Sequence, residues 1–338
     1  PGRFYAANSS SFFLSAWNYL SYTGDHEWLE KTVRDRTMLE WIRDAVEWRK
    51  TRPQWNGLAH YGQEENTYDD DAVPGYEHWV AAPNAGDVWI SRRLADLYET
   101  LYDDAATAGA LREDADRIAR ALIEHLYDTE GEYAGSWKVR HEDGGFQRMR
   151  HVWDFGMAGS FLTEDLSPEQ RQQMRDWFMG CCVRVGSDDV WIVAQDPRDL
   201  NNGPHQREHN GTGAFPTWPY HAGWALHAMG FHQDVVDVLR VIDGITAWGP
   251  IGQGHFTHGR RARSNWVNLG GASAAVYLIH NVFDVWPGMG EFTPSPRFGD
   301  FDPGASLENV LVKGRLYRVT AEGAQEAIVD AGLTNEPE

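Results

Sequence analysis

The chain has 338 residues, 42% of them hydrophobic and 24% charged, a globular balance that argues against disorder. Fifty acidic against 30 basic side chains give a net charge of −20, which disfavours nucleic acid and anionic membrane as partners, since both require a basic face. Its two cysteines, Cys181 and Cys182, are adjacent, which makes neither a disulfide framework nor a zinc site. No apolar run reaches the ~18 residues of a membrane span.

Apolar spacing predicts helices along most of the chain. Residues 9–22 put Phe13, Ala16, Trp17 and Leu20 on one face, and Gly24 stops that helix. Asp25 caps a second helix, expected to run to Arg49 through Leu39, Ile42 and Val46. Residues 85–102 and 109–127 carry leucine and isoleucine at steps of three and four. Ser167-Pro168-Glu169-Gln170 reads as an N-cap, a proline at the first helical position and a capping-box glutamine. Further helices fit 151–162, 217–229, 232–246 and 266–284. Strand signals are weak except at Leu311–Thr320, read as a terminal hairpin.

Short turns alternate with the long loops 51–84, 128–150, 181–216 and 247–265. Those loops hold most of the aromatic, histidine and carboxylate residues. Hairpins of helices arranged side by side would therefore gather the chemistry at one mouth. The chain has 16 Trp, 13 Tyr and 14 Phe, and several of these stand beside Asn, His and Asp in Gly-rich stretches. Aromatic faces beside fixed polar groups suit a sugar.

Several segments together resemble the six-hairpin, (α/α)6-toroid glycoside hydrolases. They are Phe4-Tyr5-Ala6-Ala7-Asn8, Tyr22-Thr23-Gly24-Asp25, Glu65-Asn66, Val73-Pro74-Gly75-Tyr76-Glu77-His78, Asn84-Ala85-Gly86-Asp87-Val88-Trp89, Trp218-Pro219 and Gly249-Pro250-Ile251-Gly252-Gln253-Gly254-His255-Phe256. The likeness extends over most of residues 1–285. It implies an all-α toroid of residues 1–290, followed by a tail, 291–338, with a β-hairpin. Nine helices are predicted where the family's toroid has twelve, so an N-terminal region or a second chain is expected to complete the ring. The resemblance also implies an inverting glycosidase. Polysaccharide degradation would place such an enzyme in a periplasm or outside the cell.

Glycoside hydrolysis needs a carboxylic acid to protonate the leaving oxygen and a carboxylate to act as base or nucleophile. Five acids within Glu64–Asp71 crowd one another, which raises carboxyl pKa values and keeps one protonated. Glu65 and Asp71 are the candidate acids. Glu208, between Arg207 and His209 in a Gly-rich segment, is the candidate base, held ionised by the cation beside it. In relatives a carboxylate often stands where His258 does here, so the base is assigned to Glu208. Expected sugar contacts are Tyr61, Asn66, Tyr76, His78, Asn84, Trp89, Trp153, Asp154, Arg207, His209, Asn210, Trp218, Gln253, His255 and Trp266. At least two of Trp89, Trp153, Trp218 and Trp266 are expected as exposed walls. Asp154 reads equally as a first-turn helix charge.

No metal or other cofactor is expected: H-E-x-x-H, Walker and G-x-G-x-x-G signatures are absent, and the run Asp69–Asp71 lacks EF-hand spacing. Two alternatives stand beside the exo-acting hydrolase. One is a polysaccharide lyase using Tyr61 and His78 with Asn66 and Arg207. The other is a non-catalytic carbohydrate-binding subunit.

Overall fold

The computed structural model describes residues 8–62, 75–185, 190–196, 198–199, 218–246, 253–257, 260–264, 275–298 and 301–327. More than half of these are helical, and small antiparallel sheets make up the rest of the regular structure. The α-helices are α1 (Asn8–Thr23), α2 (Met38–Trp48), α3 (Ala81–Tyr102), α4 (Ala105–His125), α5 (Val152–Phe161), α6 (Pro168–Trp177), α7 (Trp218–Ala228) and α8 (His232–Thr246). A π-helix follows at Tyr277–Val282.

Two kinds of helix are distinguished by what surrounds them. α3 is buried on every side from Ala81 to Ser91, α5 from Val152 to Gly159, and α7 at Trp218, Pro219, Ala222, Gly223, Ala225 and Leu226. Helices that are apolar or small all round belong inside. α2, α4 and α6 each bury one stripe, exemplified by Leu111, Ala115, Ile118 and Leu122 of α4, and lie outside them. α3 packs on α5, α5 on α7, and α7 on the π-helix. Glycines permit the close crossing of α5 and α7: a Cβ on Gly159 would sit 2.8 Å from that of Ala225. Tyr22, at the end of α1, donates to the Val285 carbonyl at 3.0 Å and lies 3.1 Å from His280 Nε2, joining α1 to the π-helix and the residues just after it.

The long loops are not irregular throughout. Residues 51–84 contain a hairpin, β3 (Gln54–Trp55) and β4 (Leu58–Ala59); residues 128–150 contain β5 (Trp137–Arg140) and β6 (Phe146–Met149). β7 (Val183–Val185) pairs with β8 (Val190–Ile192), and β9 (Gln253–Thr257) with β10 (Arg260–Ser264). The all-α expectation is corrected to this extent. The second predicted helix is also three pieces: a 3-10 turn at His26–Glu30, the hairpin of β1 (Thr32–Val33) with β2 (Arg36–Thr37), and α2. The break comes from Arg34, in the left-handed region at φ 63°, and from Thr37, which starts α2 through a capping box with Glu40. The capping box at Ser167 and Gln170 forms as the sequence predicts. Near the C-terminus a three-stranded sheet, β11 (Ser306–Val312), β12 (Arg315–Thr320) and β13 (Gly323–Glu326), replaces the expected hairpin. Its Val310, Val312 and Val319 form a small separate core with Val285 and Phe292.

No helix among the described residues is long and apolar enough to cross a membrane.

Candidate active site

The N-termini of α3, α5 and α7 meet at one end of the inner layer. Asp154, in the first turn of α5, is the junction. Its Oδ1 accepts from the Tyr76 hydroxyl at 2.7 Å and from the Ala82 backbone N–H at 2.9 Å, tying α5 to the segment that enters α3. Its Oδ2 is buried and has no hydrogen-bond partner among the described residues. Burial pushes this carboxyl up to about 7, against the pull of the Tyr76 and Ala82 bonds. At neutral pH it is therefore divided between acid and carboxylate.

His151 caps α5 by accepting the Trp153 N–H on Nδ1 at 3.2 Å. In the neutral ring the proton is then on Nε2. The imidazole stacks on Tyr76, with centroids 5.0 Å apart, and meets the edge of Trp218 at 6.2 Å. Its backbone bridges Gln195, so one residue joins the described parts of loops 51–84 and 181–216. Those parts share one end of the molecule, as the turn and loop alternation predicts. Gln195 is fully buried, and neither atom of its amide has a partner among the described residues. Unpartnered buried polar groups are rare in folded proteins, and two of them adjoin His151.

A buried ion network holds this wall. Arg150 donates to Asp199 through its backbone N–H (2.8 Å), Nε (3.0 Å) and Nη2 (2.8 Å), and its Nε lies 3.1 Å from Asp196. Burial works to raise Asp196, but Arg198, Cys181 and Arg150 outweigh it and bring the carboxyl down to about 2. Tyr133 lies under the Arg150 guanidinium, 4.3 Å from its ring centroid.

The flank toward α3 is aromatic and histidine-rich. Trp55 and Trp79 are partly buried, Arg140 stacks over Trp55 at 4.3 Å, and Phe146 is 48% exposed. His60, His78 and His141 cluster beside them. One ligand atom from each of Glu77, His78 and His141 lies within 4.8 Å of the others, and the same holds for His60, His78 and Glu142.

Of the expected sugar contacts, Tyr76, His78 and Asp154 are brought together here. Others prove to be internal supports. The Tyr61 hydroxyl is buried and donates to Asp87 at 2.6 Å. Burial, foremost, and the Asp87 charge raise this phenol well above its ordinary range, and burial lifts Asp87 to about 7. Asn84 is held by backbone: Oδ1 accepts from Ala59 N–H, and Nδ2 donates to the carbonyls of Ala59 and Val80. That fixes β4 to the first turn of α3 and commits both amide hydrogens within the protein. Trp153 and Trp218 are buried against His221 and each other. Trp89 faces a cavity of about 490 Å³ at the opposite, C-terminal end of the inner helices, with Phe161, Trp224 and Trp286. Tight packing of the inner helices puts Trp153 and Trp218 inside, whereas Trp89 is a cavity wall and Trp266 lies outside the described residues. Glu65, Asn66, Asp71, Arg207, Glu208, His209, Asn210 and Trp266 lie outside the described residues; Gln253 and His255 are described only as backbone of β9.

The sequence reading missed Gln195, Arg150, Asp196, Asp199, Trp55 and Trp79. Asp-Pro-Arg-Asp at 196–199 offered a signal, since alternating charge around a proline marks a loop tied by ion pairs.

No family model matches the chain, and no curated protein matches it. Among solved structures it is similar to a family GH78 rhamnosidase of Bacillus sp. GL1, with a TM-score of 0.60 and 15% sequence identity. The match covers 97% of this chain and 31% of that one, so this chain spans under a third of the rhamnosidase and shares the fold of that part.

Proposed function

We propose that the protein is a glycoside hydrolase built on an (α/α) toroid, with its mouth at the N-termini of α3, α5 and α7. The observation that carries this reading is Asp154: a buried carboxyl poised near neutrality, one oxygen unpartnered, between Tyr76 and His151. Perturbed carboxyls of this kind gather at acid–base sites. The likeness to a rhamnosidase fold supports the toroid and the substrate class.

The segments 63–74 and 200–217 carry the candidate acids and base. Gly62 and Gly75, the described ends flanking 63–74, stand beside His78 and Tyr76, and Trp218, at the end of the second segment, packs on His151. Glu65 or Asp71 is assigned as the general acid and Glu208 as the base of an inverting, exo-acting reaction. Asp154, Tyr76 and His151 shape the floor and bind the sugar.

A lyase would use a tyrosine as base. Tyr61 is poorly suited, because its hydroxyl is committed to Asp87 and its pKa is raised.

The test is turnover of a panel of aryl glycosides and oligosaccharides, with the anomer of the first product read by NMR. Hydrolysis with inversion is expected. Glu65→Gln or Asp71→Asn, and Glu208→Gln, should each lower kcat by about 10²-fold or more. A product with a new C=C absorbance would establish the lyase instead. Sugar binding without turnover would leave a binding subunit.

A further inference from the structure

Two backbone clasps bring three ligand-bearing residues to one place. Tyr61 N–H donates to the His78 carbonyl at 2.8 Å, and His78 N–H donates to the Gly62 carbonyl at 3.2 Å. Between these bonds His78 is held at φ 67°, a left-handed conformation that costs a non-glycine residue roughly 1 kcal/mol or more. One residue on, Trp79 and Arg140 exchange both backbone hydrogen bonds, at 3.3 and 3.1 Å. That bridge sets His78 beside His141, whose own N–H is tied to the Gly145 carbonyl at 2.9 Å. The ring centroids of the two histidines are 5.6 Å apart and nearly perpendicular.

The hydrogen-bond roles of the rings then discriminate. His141 Nε2 faces Gln147 Oε1 at 3.2 Å, an acceptor, so Nε2 carries the proton of the neutral ring. Its Nδ1 lone pair is left 3.7 Å from Glu77 Oε1. A lone pair and a carboxylate oxygen at that distance are bridged either by a proton on Nδ1 or by a metal ion. His78 Nδ1 is buried and has no hydrogen-bond partner among the described residues. Tetrahedral bonds of 2.0–2.2 Å separate ligand atoms by about 3.4 Å, close to the distance between Glu77 and His141. A metal-bound imidazole whose other nitrogen donates to a side-chain oxygen is the usual arrangement.

The neighbouring set, His60, His78 and Glu142, fails the same examination. Gly62 N–H donates to His60 Nδ1 at 3.0 Å, which places the neutral ring's proton on Nε2, facing Glu142 Oε1 at 3.1 Å. The position a metal would need already holds a proton.

We propose that Glu77, His78 and His141 form a binding site for one divalent transition ion of the zinc class, with its remaining coordination open to solvent. Two imidazoles and one carboxylate select such ions over calcium and magnesium, which favour all-oxygen shells. The inference goes beyond the glycosidase reading and does not depend on it.

The experiment uses the tag-free full chain, stripped with chelator and titrated with zinc and with cobalt. The readouts are bound metal per chain, the visible absorption of cobalt, and the melting temperature. About one equivalent is expected, with a cobalt spectrum of low coordination number and a metal-dependent rise in melting temperature. His141→Ala and Glu77→Gln should each weaken binding at least about 10-fold, while Glu142→Gln should bind as the parent does. Glu77→Gln keeps the side-chain shape, so it reports on ligation even if His141→Ala perturbs folding. Absence of saturable binding would overturn the proposal, as would His141→Ala and Glu77→Gln chains that bind like the parent. So would loss of binding in Glu142→Gln, which would assign the ion to the His60 set.

Discussion

The Tyr76 hydroxyl reaches across 78 residues of chain to donate a 2.7 Å hydrogen bond to Asp154 Oδ1 inside the protein. The bond fastens the end of loop 51–84 to the first turn of α5. It also favours the ionised carboxyl, whereas burial favours the neutral one, and burial prevails, since the carboxyl stands at about 7. Tyr76→Phe removes the bond and keeps the ring stacked on His151. It should cost about 1.5–3 kcal/mol where Asp154 is ionised and less where it is neutral. Urea unfolding of both proteins near pH 5 and near pH 8 measures this. An equal loss at both would show that the hydroxyl does not discriminate between the two forms.

Asp87 and Asp154 each contribute to the slope of stability with pH. Their folded-state values, both about 7, lie above the ordinary 3.8, so the native state binds more protons than the unfolded chain between those limits. Their stabilising contribution is complete below about pH 4 and is lost as pH rises through about 7. Each group contributes at most about 1.4 kcal/mol per pH unit across that window. Asp196, lowered to about 2, acts in the opposite sense: its contribution is present above about pH 4 and is lost as pH falls toward 2. His221 and His280, lowered by burial to about 4, also favour higher pH and offset the two carboxyls up to about pH 6.5. The Asp87→Asn/Asp154→Asn double variant should therefore gain stability relative to the parent as pH rises from 5 to 7, read from denaturant midpoints. An unchanged slope would remove both carboxyls from the account.

Glycine at the inner crossings gives a third test. In an exposed helix Gly→Ala gains about 1 kcal/mol from propensity. At Gly223 an added Cβ would run into the Tyr277 ring and the Asn281 amide, both buried. Overpacking of this kind costs about 1–3 kcal/mol, so the balance for Gly223→Ala is destabilising. Gly109→Ala on α4, where the Cβ meets nothing within 4 Å, should be neutral or stabilising. Thermal melts of the two variants should move in opposite directions or differ by several degrees.

Most helices were legible because burial leaves a pattern. The all-round apolar run of α5 and the single stripe of α4 can both be read from spacing, as can the cap at Ser167. The hairpins inside the loops were not legible. β3 and β4 have two residues each, too few for a period of two to show, and they exist because Asn84 binds the Ala59 backbone from α3. The same long-range dependence hid the site. Asp154 read both as a sugar contact and as a first-turn charge, since nothing in Val152-Trp153-Asp154 foretells the Tyr76 hydroxyl. Trp153 and Trp218 read as sugar platforms because their neighbours in sequence are polar, whereas their neighbours in space are each other and His221.

Arg150 provides the last test, because it positions the wall without contacting the reacting groups. It is 1% exposed and faces two buried carboxylates, Asp196 and Asp199. Arg150→Met retains much of the side-chain volume but leaves Asp199 without its cation, while Asp196 keeps Arg198. Breaking a buried pair in this way costs about 3–5 kcal/mol, more than the whole pair contributes relative to an apolar replacement. The double variant Arg150→Met/Asp199→Asn, which removes the stranded charge as well, should therefore recover part of the loss. If the wall also positions the site, the single variant should lower kcat for the best glycoside, measured below its melting temperature, while the fraction folded remains near one. Hydrogen exchange at Val152, whose N–H donates to the Ala194 carbonyl at 2.7 Å, reports the opening of the wall independently of turnover. Faster exchange at Val152 with parental kcat would make the network a support of the fold alone. Parental stability and exchange in Arg150→Met would mean that Arg150 does not hold the wall.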